Sequence, residues 1–363
     1  MRSYKGRTKS FDKVLFLLVI VLSAIGLLMI YSATHSYDTL SYVITQGGAF
    51  GIGLVLMIIL TFFDYEQYEG LVKYIAGLAI FLLILVLIIG QAGEWGAKSW
   101  IRIGSLGIQP AEIAKVAFAL TFSYHLSIVK DKINKPSTLF GLLVHTAIPV
   151  GLILLQPDAG SAMVFIFMAI IMLFIAGISY KYIIPAGILG VISLPVIYSL
   201  LGEYQKDRIR VFLNPESDPL FRGYNVIQSK IAVGSGRIFG TGYLKGTQTQ
   251  FEFLPTKHTD FIFSVICEEF GLIGALAVIL LLTFLIVRII KISKNANTTF
   301  GKFICIGVAS MLIFHVVENC GMCIGLTPVT GIPLPFISYG GTSLITYMIA
   351  VGLVMSVAYR SKK

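Results

Sequence analysis

VLFLLVIVLSAIGLLMIYSA, Val14 to Ala33, is the stretch that decides the fold. It carries no charge, and as a helix its length matches the roughly 30 Å hydrocarbon core of a bilayer. The basic lead MRSYKGRTKSFDK gives it the look of a secretion signal. The apolar run is too long for one, and no small-residue cleavage site clearly follows, so it reads as a first spanning helix.

Runs of this kind recur to the end of the chain. Ten spans are predicted, at 12–33, 43–63, 73–91, 110–128, 138–155, 159–178, 181–202, 260–290, 301–325 and 338–359. The joints Gln156-Pro157-Asp158 and Ile178-Ser179-Tyr180-Lys181 are the tightest. The composition agrees: 56% of residues are hydrophobic and 13% charged, against roughly a quarter charged in a soluble domain. The expected class is an all-α polytopic membrane protein, one domain over 1–363, with no soluble domain of ordinary size.

The net charge of +10 is an orientation signal rather than a sign of nucleic-acid binding. With the N-terminus in the cytoplasm, the basic residues at 2–13, 73, 130–135, 181, 288–302 and 360–363 all fall inside, as the positive-inside rule requires. Ten spans then put both termini in the cytoplasm. Two outer segments stand out. One is 92–109, with Trp95, Trp100, Lys98 and Arg102. The other is the loop 203–259, whose recurring apolar residues predict short amphipathic helices at the outer interface.

Charges inside spans are functional candidates by default. Glu112 and Lys115 stand three apart on one helix face, either as a structural ion pair or as a pair lining a polar cavity. Asp158 sits where a helix N-cap belongs. Glu268 and Glu269 fall two turns inside span eight, and at least one should face the bundle. Glu318 is similar. His315, one turn before it, reads as a satisfied core histidine. The four cysteines read as inert buried thiols, and no His, Cys and acid set has metal-ligand spacing.

In the long loop, Gly234-Ser-Gly236-Arg-Ile-Phe-Gly240 has the wrong spacing for a dinucleotide fingerprint. Lys245-Gly246-Thr247 reverses the P-loop order. The glycines read instead as sharp turns or close backbone approaches. Lys206, Arg208 and Arg210 form a basic cluster, suited to lipid head groups or to a phosphate or pyrophosphate. Asp260, after His258-Thr259, is either an N-cap or a general base at the water–lipid boundary.

FLPTKHTDFIFSVICEEFG resembles the SEDS family. So do AKSWIRIG, IQPAEIAK, LLQPDAGSAMV, NPESDPLFRGYNVIQSKIAVGSG and TGIPLPFISYGGTS. The likeness covers almost the whole chain. Gly246-Thr-Gln-Thr-Gln250 is similar to the family's RodA branch, which acts in cell elongation. The resemblance implies a ten-span peptidoglycan glycosyltransferase in the bacterial plasma membrane, with its active site on the extracytoplasmic face. Its substrates would be lipid II and the undecaprenyl-pyrophosphate-linked glycan. Its partners would be a class B penicillin-binding protein and the elongation machinery. Asp260 would be the base. Trp100, Glu112 and Lys115 would support it, with Arg208, Arg210, Lys245 and His258 as further supporting candidates. No cofactor would be built from protein ligands, although a divalent cation, magnesium or manganese, is compatible with the chemistry. Phe221-Arg222-Gly223 and Ala111 depart from the family pattern. The competing functions are a lipid II flippase and a non-catalytic scaffold.

Overall fold

The computed structural model describes residues 10–36, 39–91, 98–103, 106–200, 202–219 and 222–361. The basic residues at 2–9 and 362–363, Trp95 and Phe221 lie outside the described residues. Among those described, nine helices are long and apolar enough to cross a membrane. They are α1 (Lys13–Thr34), α2 (Thr39–Phe62), α3 (Val72–Ile89), α4 (Pro110–Val129), α5 (Pro136–Leu154) and α6 (Ala159–Ala176), then α11 (Ile262–Lys294), α12 (Thr299–Ile324) and α13 (Gly341–Arg360). The remaining expected span is helix α7 (Tyr180–Leu200), which contains Pro185 and Pro195.

Local chemistry sets the helix ends. Proline occupies the first turn of α4 and α5, where its missing N–H costs nothing. The carboxylates of Asp12 and Asp158 accept from the backbone N–H of Leu15 and Ser161, 3.0 Å each, and cap α1 and α6. The capping role read for Asp158 is thus the one it plays.

The bundle is most buried along α12 and α13, while α2, α3 and α7 present rows of exposed leucine, isoleucine and phenylalanine. That inside-out pattern suits a lipid surround. Small residues let the central helices approach: Gly352 lies against the Met57 backbone and Gly307 against Ala119. At one end of the bundle, Arg288 pairs with Asp12 at 2.9 Å. Arg360 pairs with Asp64 and donates to the carbonyls of Thr61 and Phe62 there.

The loop 203–259 folds into α8 (Glu203–Leu213), α9 (Arg222–Ser235) and the single turn α10 (Thr247–Gln250), in keeping with the expected short helices. α8 packs on α9, and α9 on α11 and α12.

The sequence reading treats span eight as continuous, but α11 is broken. Gly271, at φ 64° and ψ −160°, interrupts it between 262–270 and 272–294. A break leaves the carbonyls before it and the N–H groups after it without helical partners. The strap 236–246 supplies both sets. Thr241 and Gly242 donate to the carbonyls of Glu268 and Glu269, at 2.9 and 3.0 Å. Leu272 and Ile273 donate to the carbonyls of Arg237 and Ile238, at 2.9 and 3.2 Å. The glycine motif therefore serves an approach of backbone to backbone. A Cβ on Gly236 would stand 1.8 Å from the Cys267 carbonyl oxygen.

Gly236→Ala should accordingly destabilise the detergent-solubilised protein by about 2 kcal/mol or more. Gly234→Ala, with nothing within 4 Å of its added carbon, should be neutral or stabilise α9 by up to about 1 kcal/mol. Thermal melts decide the matter, and equal midpoints for the two variants would refute the strap argument.

Candidate active site around Asp260

Asp260 sits at the end of a series of turns that runs into α11. The N-cap position of α11 is Phe261, which forms no side-chain cap, so Asp260 stands before the cap rather than in it. It is 7% exposed. Its backbone N–H donates to the Thr256 carbonyl at 3.1 Å, and its carbonyl accepts from Asn319 Nδ2 at 2.9 Å. The same amide of Asn319 donates to the Ile332 carbonyl at 2.8 Å. One side chain on α12 thus ties together the two loops that precede α11 and α13.

The second loop closes over the carboxylate. Asp260 Oδ2 lies 3.6 Å from where a Cβ on Gly331 would stand. Next to it Thr330 donates to Glu318 Oε1 at 2.9 Å. Further on, Tyr339 N–H donates to the His258 carbonyl at 2.9 Å, and Ser338 Oγ to the Thr259 carbonyl at 2.7 Å. The His258 ring lies against Tyr42 and Tyr339, with centroids 4.8 and 5.6 Å away. Gln46 on α2 completes the frame by donating to the Ser338 carbonyl and accepting from Gly340 N–H.

The neighbouring acids are held from several elements. Glu268 is fully buried and accepts from the N–H of Gln248 and Thr249, at 2.7 and 3.1 Å, and from Thr249 Oγ1 at 2.6 Å. Glu269 accepts from Ser32 and Gln250. Both acids face inward, bound to α1 and the strap region just before the break. Lys257 is buried and donates to Ser36 Oγ and the Thr249 carbonyl. Burial pushes its ammonium below the usual lysine range, against the opposing pull of Glu252 and Glu268.

The other predicted residues lie at varying remove. Trp100 precedes the hairpin of β1 (Ile101–Ile103) and β2 (Leu106–Ile108), with its ring against Gly107. The Gly107 carbonyl accepts from Thr342 at the start of α13. Gln109 donates to Asp158 at 3.3 Å, and Gly160 touches Thr330. The start of α6, which Gln109 joins to α4, therefore meets the loop that covers Asp260. Glu112 and Lys115 form the expected pair at 2.7 Å, with 2% and 1% exposure. Lys115 Nζ also lies 2.9 Å from His315 Nε2. Lys245 is exposed on the strap. Arg210 pairs with Asp207 at 3.0 Å and Glu203 at 3.6 Å on its own helix, so α8 neutralises part of the basic cluster. The sequence reading missed Asn319, Lys257, Ser338 and Gln46. An asparagine beside a glutamate in an apolar helix was the one signal available for Asn319.

The profile of the FtsW/RodA/SpoVE family, described as cell cycle protein, matches residues 12–363. The chain belongs to this family. It is 38% identical over 348 residues to the peptidoglycan glycosyltransferase MrdB of Escherichia coli K12, covering 95% of this chain and 93% of that one. It is 34% identical to the peptidoglycan glycosyltransferase RodA of Treponema pallidum, covering 96% and 98%. A solved peptidoglycan synthase complex, described as coordinating polymerization and crosslinking, superposes with a TM-score of 0.82 at 30% identity. The match covers 96% of this chain and 98% of its own. RodA of Thermus thermophilus gives 0.74 at 28% identity, covering 98% and 99%. Like these FtsW/RodA/SpoVE relatives, the chain is a multi-pass membrane protein.

Burial, with the Lys257 charge adding to it, pushes the His258 imidazole down to about 4. Folded protein then binds fewer protons than unfolded chain between about pH 4 and 6.5, so stability falls as pH drops through that window. Partial exposure reduces the full 1.4 kcal/mol per unit, leaving a loss of about 1–3 kcal/mol. Melts from about pH 7 to about pH 4.5 should show that fall, and His258→Gln should flatten it. Parallel curves for the two proteins would remove His258 as the cause.

Proposed function

We propose that the chain, a peptidoglycan glycosyltransferase of the FtsW/RodA/SpoVE family, polymerises lipid II during cell elongation, with Asp260 as general base. Ten spans, both termini in the cytoplasm and the Asp260 site on the extracytoplasmic face belong to the same reading. The observation that carries it is the setting of Asp260: a carboxylate at a helix entrance, gripped through its main chain and covered by a glycine. The FtsW/RodA/SpoVE relatives supply the reaction class. Residues 246–250, folded into the turn that grips Glu268, support the elongation branch. A class B penicillin-binding protein is the partner that would cross-link the product.

In this mechanism Asp260 takes the proton from the 4-hydroxyl of the acceptor's terminal GlcNAc. The oxygen attacks the anomeric carbon of the donor MurNAc. The bond from that carbon to the pyrophosphate breaks, and undecaprenyl pyrophosphate leaves with the electron pair. Cationic side chains of the outer loop, Arg208 and Arg210, would offset the developing charge. A boundary position suits the substrate, because the sugars are wet while the C55 tails stay in lipid. Among the described residues no three or more His, Cys, Asp and Glu side chains are grouped to hold a metal ion.

Asp260→Asn should fold and insert yet polymerise lipid II about 10²–10⁴ times more slowly. Gel analysis of glycan strands made by the purified protein with its partner gives the answer. Polymer at the wild-type rate would falsify the assignment of the base.

A further inference from the structure

The buried Glu112–Lys115 pair has a third member, on a different helix. Lys115 Nζ is 2.7 Å from Glu112 Oε1 and 2.9 Å from His315 Nε2. The imidazole's other nitrogen settles the tautomer. His315 Nδ1 lies 2.8 Å from the Met311 carbonyl oxygen, which only accepts, so Nδ1 carries the proton. Nε2 then presents a lone pair to the ammonium. The ring is fully buried and packs edge-on against Tyr347 at 5.4 Å, so its rotation is fixed as well. Asn319, which holds the Asp260 and Ile332 carbonyls, stands four residues along α12. It therefore lies on the same face, about 6 Å further along the axis.

We propose that His315 is a positioning residue for polymerisation. Its neutral Nδ1–H tautomer fixes the Lys115 ammonium and, through it, the Glu112 carboxylate. It holds both in register with the Asp260 segment that the same face of α12 secures through Asn319. The bland alternative is a polar contact that serves only helix packing. Three features argue for more. The ammonium has ligands on two separate helices. The imidazole is locked at both nitrogens. The helix that carries it also carries Asn319, whose side chain ties the two loops at Asp260. A buried charge pair is a poor packing device, because its desolvation offsets most of its attraction.

The proposal rests on the polymerase reading above, so its test has one arm that does not need activity. In ¹⁵N-histidine-labelled full-length protein the chain's five histidines give few signals, and His315 is assigned by its loss in His315→Gln. A neutral ring protonated at Nδ1 is expected; an Nε2–H tautomer or an imidazolium overturns the proposal.

In the activity arm, His315→Met should lower kcat for lipid II polymerisation at least about tenfold. KM should stay within about threefold, because the ring is fully buried. His315→Gln, which keeps an acceptor within reach of Lys115, should recover most of the loss. A His315→Met rate within about twofold of wild type, or a Gln variant as slow as Met with an unchanged melting midpoint, overturns it. Asp260→Asn runs in the same assay. Full activity there sinks the base assignment and leaves the His315 comparison intact. Absence of polymer from wild type sinks the polymerase reading and with it the role in polymerisation, while the resonance arm separately tests whether His315 holds Lys115 as a neutral Nδ1–H ring.

Discussion

Everything on the Asp260 side of the bundle depends on how the chain satisfies the break at Gly271. In an apolar surround an unpaired peptide group costs several kcal/mol, so a helix cannot stop there unless other groups take over. The strap 236–246 meets that need on both sides of the break, receiving from one half of α11 and donating to the other. Because the strap needs no side-chain room where it crosses, glycine stands at its points of closest approach. Once docked, it places Thr247–Gln250 over Glu268. That turn fixes Lys257 through the Thr249 carbonyl, and the His258-Thr259-Asp260 run follows directly.

The spans were readable because burying a helix in lipid demands about twenty apolar residues in a row, a demand visible without any partner. The Glu112–Lys115 pair and the Asp158 cap were readable for a related reason: both are satisfied within three residues. What was not readable depends on distant partners. Lys115 meets His315 two hundred residues away, and Asn319 reaches Asp260 across two helices. The break in α11 was hidden because hydropathy averages over it. Ile262–Lys294 passes as one apolar helix on that scale, and only the backbone at Gly271 reveals two helices. The family resemblance selected Asp260 without showing what holds it.

The acids in the bundle separate into two kinds. Glu112, Glu268 and Glu318 are held through their carboxylates by Lys115, by the Thr247–Gln250 turn and by Thr330. Each of them fastens one element to itself or to another. Replacing such a side chain leaves a buried donor without its acceptor, at about 1–3 kcal/mol for each group stranded. For Glu268 and Glu318 the first effect on function therefore passes through the fold.

Asp260 is gripped through its main chain. Asp12, Asp64 and Asp158 hold their neighbours through carboxylate oxygens, bonded to the N–H of Leu15, Glu66 and Ser161. At Asp260 the scaffold holds the peptide as well, with Thr256 on the amide and Asn319 on the carbonyl. A residue anchored through its main chain keeps its place whatever side chain it bears. The frame of Gln46, Ser338 and Tyr339 likewise bonds to backbone around it. Such a frame aims a side chain from the backbone outward.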